Sequence, residues 1–379
     1  MSPDEAGSTT RARTLALRDV TEVDRERWQN LSRRALEPNP FLDPRYLLTA
    51  HRMLDGLDDI RLVIVEDGDE WIAVTPLSAL GRFAKTPLRY ASTAGAYLGR
   101  RASLCVPLID AASPQRAIAA TLAHLSSRAS RLPGLVELTL LPADGPVAAT
   151  LRSECARVGI TVQERSRFTR AFADAASPTH APEHLSGARR KRLRRLRSGL
   201  EREVGPLEFT DHGSDMTALG SLLDLEAAGW KGDRGSAKRK KPAELAWFLD
   251  FLAQFGRSGD FRVMTLRSAE YLIFTSLVLV IDGHAFGTID AYDERFAAFS
   301  PGVLGRILEQ QHLMADTTIT TFDPCMHPRY VDATALYPDR RDMVSVLLAT
   351  RGTSRVLLRA RPWTQRMRAR AAGMRRGTR

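Results

Sequence analysis

The chain has 379 residues, 44% of them hydrophobic and 26% charged, with a formal net charge of +11. That is globular composition with enough length for two domains, which excludes a short disulfide-stapled scaffold. The charge is uneven: residues 351–379 hold ten arginines and no acid. The body is therefore near neutral, which excludes a uniformly basic protein that coats nucleic acid.

Cys105, Cys155 and Cys325 are far apart and form no CxxC pair. This argues against a thiolate zinc site and fits a reducing compartment. No His/Asp/Glu cluster has metal-ligand spacing, so no metal is expected. The longest apolar run, Leu272 to Ile281, is about ten residues, half of a membrane span. The polar first residues lack the apolar core of a signal peptide. A cytoplasmic location is expected, with the basic tail able to touch the inner membrane surface.

Residues 1–12 read as disordered. Thr14 to Val20 alternates like an edge strand, and Val23 to Leu36 reads as a helix ended by Pro38-Asn39-Pro40. Asp43-Pro44 caps a second helix running to Met53. Ile60 to Val65 and Trp71 to Leu80 are strands joined by the turn Asp67-Gly68-Asp69. A helix (Gln115 to Ser127), a strand (Leu135 to Leu141), a helix (Pro146 to Val158) and a strand (Ile160 to Glu164) follow. The second half repeats the plan. Leu185 to Val204 is a long basic helix, Leu207 to Thr210 a strand, and Met216 to Ala228 and Ala243 to Phe255 are helices. Strands Phe261 to Leu266 and Leu272 to Ile281 come next. Asp282-Gly283 turns the latter into Ala285 to Ala291. Helix Gly302 to Met314 and strands Thr318 to Phe322 and Met343 to Leu348 complete it. The class is α/β or α+β in two lobes, 13–168 and 169–350, with a basic tail over 351–379.

Two segments stand out as poor generic core: Leu225-Glu226-Ala227-Ala228-Gly229-Trp230-Lys231-Gly232, and Ala291-Tyr292-Asp293-Glu294 leading to Ser300-Pro301-Gly302. Glu226, at a helix end beside Trp230, has the setting of a desolvated general base, or else of a structural partner to Lys231 or Arg234. Lys231 can hold a phosphate or carboxylate as a point charge. Trp230 reads more as a packing residue than a binding one. Asp290 and Tyr292 fall on the same side of one strand. Ser300 reads as an N-cap before Pro301, and Gly302 clears bulk from the first backbone N–H groups of the helix. Such a terminus, through Val303 and Leu304, can hold a pyrophosphate. The run Arg189 to Arg197 lies on an amphipathic helix. It is a solvated face, a phosphate site for a coenzyme or acidic substrate with Arg192 as a contact, or a nucleic-acid arm. Few aromatics interleave it, so nucleic acid is the disfavoured partner. Cys325 and His327 lack a third partner, which disfavours a Cys–His nucleophile.

Taken together, Trp28, Pro38-Asn39-Pro40-Phe41, Leu185-Ser186-Gly187 with its Arg/Lys run, Leu225-Glu226…Trp230-Lys231-Gly232, Ala291-Tyr292-Asp293-Glu294 and Ser300-Pro301-Gly302 resemble the tandem GNAT-fold acyltransferases. More narrowly they resemble the CelD-like group, named for a cellulose-biosynthesis acetyltransferase. Fem-type aminoacyl-tRNA-dependent peptidyltransferases are more distant relatives. The resemblance covers roughly residues 15 to 350 and implies two GNAT-like lobes, each a mixed, mostly antiparallel sheet flanked by helices. It further implies direct acyl transfer from acetyl-CoA or another acyl-CoA to an amine or hydroxyl of a small-molecule, glycan or peptide acceptor. Tyr292 would then protonate the leaving thiolate, and Trp230, Lys231 and Asp290 would contact the acceptor. Two features depart from the pattern: there is no Arg/Gln-x-x-Gly-x-Gly/Ala loop, and Asp290 stands where a basic residue is expected. The alternatives are an aminoacyl-tRNA donor on the same fold, or a non-catalytic adaptor with a membrane- or nucleic-acid-binding tail.

Overall fold

A computed structural model describes residues 10–57, 59–83, 88–93, 95 and 101–356. Most of the expected N-terminal segment, and residues 357–379 of the tail, lie outside the described residues. The chain forms two compact units. Residues 10–42, 56–167 and 343–356 make the first, and 43–55 with 168–342 the second.

The first unit opens with β1 (Thr10–Ala16), where a strand was expected at Thr14 to Val20. The difference follows from pairing: β1 lies antiparallel to the second strand with Thr10 opposite Asp67, and Leu17–Asp19 is a 3-10 turn. Helix α1 (Glu22–Arg33) starts at a capping box in which Thr21 and Asp24 satisfy each other's backbone N–H groups. Helix α2 (Pro44–Met53), capped by Asp43, belongs to the second unit. Then come β2 (Ile60–Asp67), β3 (Glu70–Arg82), β4 (Arg89–Ser92), β5 (Leu108–Ile109), α3 (Pro114–Ser126), β6 (Leu135–Pro142) and α4 (Pro146–Arg157). The middles of the apolar strands β2 and β3 are buried, residues 62–65 and 71–78, with Trp28 of α1 against Trp71 of β3. The first residues of the expected tail are part of this unit: the Arg351 guanidinium donates to Ser127 O at 2.6 Å and to Ser130 Oγ at 2.9 Å.

The second unit contains β7 (Thr161–Asp174) from Phe168 on, α5 (Gly187–Val204), β8 (Glu208–Asp211), α6 (Met216–Ala228), α7 (Trp230–Asp233) and α8 (Pro242–Gly256). It continues through β9 (Phe261–Arg267), β10 (Leu272–Ile281), β11 (His284–Tyr292), α9 (Pro301–Ala315), β12 (Thr321–Asp323), α10 (Val331–Thr334) and the start of β13 (Asp339–Ala349). The β10–β11 turn works as its sequence demands, since Asp282 and Gly283 both have positive φ, 47° and 75°. Helix α2 is tied in by charge. Arg45 makes a two-point bond to Asp43, reaches Asp260 at 2.5 Å, and stacks 3.9 Å from the Phe255 ring centroid.

The same strand plan appears twice. In the first unit β1, β2, β3 and β4 are antiparallel neighbours, β4 and β6 are parallel, and β13 is antiparallel to β6. In the second, β8, β9, β10 and β11 are antiparallel neighbours, β11 and β12 are parallel, and β7 is antiparallel to β12. A helix crosses over between the parallel strands in each, α3 in the first and α9 in the second. The architecture is mixed α/β, as expected.

Candidate functional site

The site grows out of a defect in the second unit's sheet. Strands β11 and β12 pair in parallel over only three residues, His284–Phe286 with Thr321–Asp323. Beyond that point β11 runs on to Tyr292, while the other chain turns away through Pro324 and Cys325, whose φ of 53° is left-handed. Gly287 sits at the fork because a Cβ there would lie 2.9 Å from the Pro324 carbonyl oxygen. Thr288 is the extra residue of a β-bulge against β10, pinned by its hydroxyl to Leu277 O at 2.8 Å. The fork opens a cavity of about 430 Å³. It is lined by residues of β10 and β11, by Arg306 and Glu309 of α9, and by Cys325, Met326 and His327. A smaller cavity of about 80 Å³ adjoins it and shares Trp230, Lys231, Asp290 and Arg306.

Charged groups are graded from the rim inwards. At the rim, α7 is set tightly against the end of α6: a Cβ on Gly232 would fall 1.8 Å from Ala227 O, so only glycine fits. Trp230 N–H donates to Glu294 Oε1 at 2.7 Å. Lys231 Nζ lies 3.4 Å from Glu226 Oε1 and donates to Asp290 O at 3.3 Å. The other Glu226 oxygen accepts the Lys238 backbone N–H at 2.9 Å. Between the cavities, Arg306 Nε meets Asp290 Oδ2 at 2.6 Å. Burial pulls this guanidinium down, but Asp290, with Tyr337 and Glu309, more than offsets it and holds Arg306 above its ordinary value.

Deepest in the wall is Glu309, 5% exposed. Desolvation pushes its carboxyl up to about 7, and the Asp290 charge adds to this. The Ser276 hydroxyl, which makes no hydrogen bond of full geometry, and Arg306 pull the other way. Tyr337 lines the same cavity; burial, then the Glu309 charge, raises its phenol well above the ordinary value. The arrangement therefore offers a carboxyl balanced between its two protonation states and a phenol that keeps its proton.

Five of the ten expected site residues line the two cavities. Trp230, Lys231 and Asp290 line both cavities, and Glu226 and Tyr292 line the smaller one. Trp230, expected to pack, is instead 43% exposed, with Arg234 stacked 5.1 Å from its ring centroid. Glu226 is 4% exposed and has the partner Lys231 that was one of its two expected roles. Ser300 precedes α9 as expected but makes no side-chain cap; its left-handed backbone, φ 52°, turns the hydroxyl from that role. Its carbonyl instead accepts Val303 N–H at 3.0 Å and Leu304 N–H at 3.2 Å. Gly302 admits the Tyr292 ring, which a Cβ would meet at 3.0 Å. Arg192 is exposed on α5 and lines neither cavity. Cys325 and His327 both line the larger cavity. Glu309 and Tyr337 were not anticipated. The available signal for Glu309 was its spacing, four residues from Gly305 and four from Leu313, which puts a carboxyl on the buried stripe of α9.

Among the described residues no group of three or more His, Cys, Asp or Glu is arranged to hold a metal ion. No helix among them is long and apolar enough to cross a membrane.

Residues 187–328, within the second unit, match the family described as "Acetyltransferase (GNAT) domain". No curated protein sequence matches the chain. Among solved structures, the chain is similar to FemX, at 11% identity and a TM-score of 0.53 over 84% of this chain and 95% of that one. It is also similar to a conserved protein of unknown function from Bacteroides thetaiotaomicron VPI-5482, at 11% identity and a TM-score of 0.50 over 87% and 98%. At such identities these likenesses speak to fold. The second unit thus contains a GNAT-superfamily acetyltransferase domain, and its fold supports acyl transfer.

Proposed function

We propose that the protein is an acyl-CoA-dependent acyltransferase of the CelD-like kind. In this reading the thioester enters the fork between β11 and β12, and Glu309 is the general base. The observation that carries it is the placement of Glu309: a buried carboxyl raised to about 7 in the wall of the forked cavity of a GNAT domain. A base works best when its proton affinity is matched to the operating pH.

The step needs no covalent enzyme intermediate. The acceptor amine attacks the thioester carbonyl carbon, forming a C–N bond while Glu309 takes the amine proton. The C–S bond then breaks, and the thiolate takes a proton from a phenol. Tyr292 in the smaller cavity is the phenol assigned to this step; Tyr330 and Tyr337 line the larger one, and Tyr337, raised by burial and the Glu309 charge, keeps its proton. Glu226 serves less well as base, because both its oxygens are occupied. It holds Lys231, and with it Trp230 and Asp290, at the acceptor side, suited to a small-molecule or peptide amine that brings an anionic group. The coenzyme's pyrophosphate is assigned to the N-terminal end of α9, where the helix dipole favours an anion, while the Val303 and Leu304 N–H groups there are held by the Ser300 carbonyl.

The test is turnover of acetyl-CoA with a panel of amines and amino acids, read as released thiol. Glu309→Gln should lower kcat by a factor of about 100 or more while the donor KM holds. Full activity in Glu309→Gln with loss in Glu226→Gln would return the base to Glu226. Turnover only with aminoacyl-tRNA would overturn the coenzyme assignment.

A further inference from the structure

Helix α9 has two working flanks. Arg306 and Glu309 face the forked cavity, whereas Leu304, Ile307 and Leu308 line a separate groove of about 200 Å³ between α9 and α5. Leu193 of α5, with Leu207 and Leu266 from the sheet side, completes an aliphatic floor. The rim is cationic: Arg190, Arg194 and Arg197 border the groove, and no acidic residue does.

Of the three arginines on the rim, Arg194 has no acidic partner among the described residues, while Arg190 and Arg197 are engaged. From Arg189 to Arg197, α5 carries seven basic residues and no acid. Arg197 pairs with Glu201 at 2.9 Å, and Arg189 and Arg190 donate to backbone carbonyls. Lys191, Arg192, Arg194 and Arg195 have no acidic partner among the described residues. A protein gains nothing in its own stability from four unpaired like charges on one helix, since like charges a turn apart repel. One of them, Arg194, lies on the rim of the apolar trough beside Arg190 and Arg197, which fits a ligand with an anionic head and an aliphatic chain.

Other occupants fit less well. The groove has no aromatic lining to stack a base, which weighs against a single-stranded nucleic acid. The chain's own C-terminal segment, rich in arginine and free of acid, is repelled by the same rim. A helical peptide, 10–12 Å across, is too bulky for so small a trough.

We propose that this groove binds an anionic lipid, one acyl chain lying on the leucine floor and its phosphate held by Arg194 with Arg190. Combining one chain with a basic patch is the pairing that makes lipid attachment firm, because either signal alone is marginal. Lipid bound here would sit on the flank of α9 away from Glu309, so it need not be a reactant.

The full-length protein is titrated by calorimetry, at fixed salt and below micelle-forming concentration, with lysophosphatidic acid, lysophosphatidylcholine and glycerol 3-phosphate. The first supplies chain and anion together, the second a chain with a zwitterionic head, the third the anionic head alone. One equivalent of lysophosphatidic acid should bind at least tenfold more tightly than either of the others. Arg194→Glu should weaken it more than tenfold and Arg194→Lys should restore most of the loss. The arginine-rich tail is present in every variant, so the difference reports on the groove. Equal binding of both lysolipids would reduce the effect to apolar adsorption, and equal binding of glycerol 3-phosphate would make it a simple anion site. Either result overturns the proposal, as does an Arg194→Glu protein of unchanged melting temperature that keeps full affinity.

Discussion

Glu309→Gln should change stability in a pH-dependent way. The wild-type carboxyl is raised from 4.5 to about 7, chiefly by desolvation. Between those values the folded protein keeps a proton that the unfolded chain has released, so wild-type stability falls as pH rises. Below about 4.5 both states are protonated and no penalty exists. Above about 7 the penalty is complete. At about 1.4 kcal/mol per tenfold change in proton affinity, the full effect is roughly 3 kcal/mol. Glutamine keeps the shape and carries no charge, so the variant escapes the penalty. Urea unfolding from pH 4 to 9 should give nearly equal stabilities at the acid end. The variant should gain steadily through neutrality, to about 2–3 kcal/mol more stable at pH 8. Its catalytic rate should fall at the same time, a trade of activity for stability. Parallel stability profiles for the two proteins would refute the desolvated carboxyl and with it the base assignment.

Further substitutions probe what holds the site. Lys231→Met leaves Glu226 buried without its cation and should cost about 2 kcal/mol, most of it recovered in Glu226→Gln/Lys231→Met, as a double-mutant cycle in urea would read. Asp323 is 1% exposed and holds Arg170 in an ion pair, with Arg341 at 3.5 Å and the Cys325 N–H at 2.8 Å. Asp323→Asn should therefore destabilise by roughly 3–5 kcal/mol, seen as a lower melting temperature, whereas Arg341→Gln should do much less. Gly305 lets α9 sit on the Phe274 ring, where an added Cβ would fall 2.2 Å from ring carbons. Gly305→Ala should cost about 1–3 kcal/mol through overpacking, despite alanine's better helix propensity.

Local chemistry made much of the fold legible. Asp43 with Pro44 marks a helix start that the structure has where the cap predicts. Asp282-Gly283 fixed the β10–β11 register through two positive φ angles. What stayed hidden depends on distant partners. Nothing local to Arg45 announces Asp260, 215 positions away, so α2 read as part of the first lobe. Trp230 resembled core because an isolated tryptophan usually is, and only the set of α7 leaves it at the surface. Glu309 sits in the helix expected over Gly302 to Met314. Its meaning arises only where β11 and β12 part and leave a buried carboxyl facing a cavity. The expected role of Ser300 failed for a backbone reason, since a left-handed residue cannot aim its hydroxyl along the helix it precedes.

The forked cavity as donor site is tested most directly by calorimetric titration of acetyl-CoA into the wild-type protein and into Ala333→Trp. Ala333 lines the cavity from the short helix α10 and belongs to no ion pair of the site. The wild type should bind one equivalent, and the bulky indole should abolish binding while leaving the melting temperature within a degree or two. Unchanged affinity in Ala333→Trp, or no binding of any acyl-CoA by the wild type, would contradict a donor site between β11 and β12.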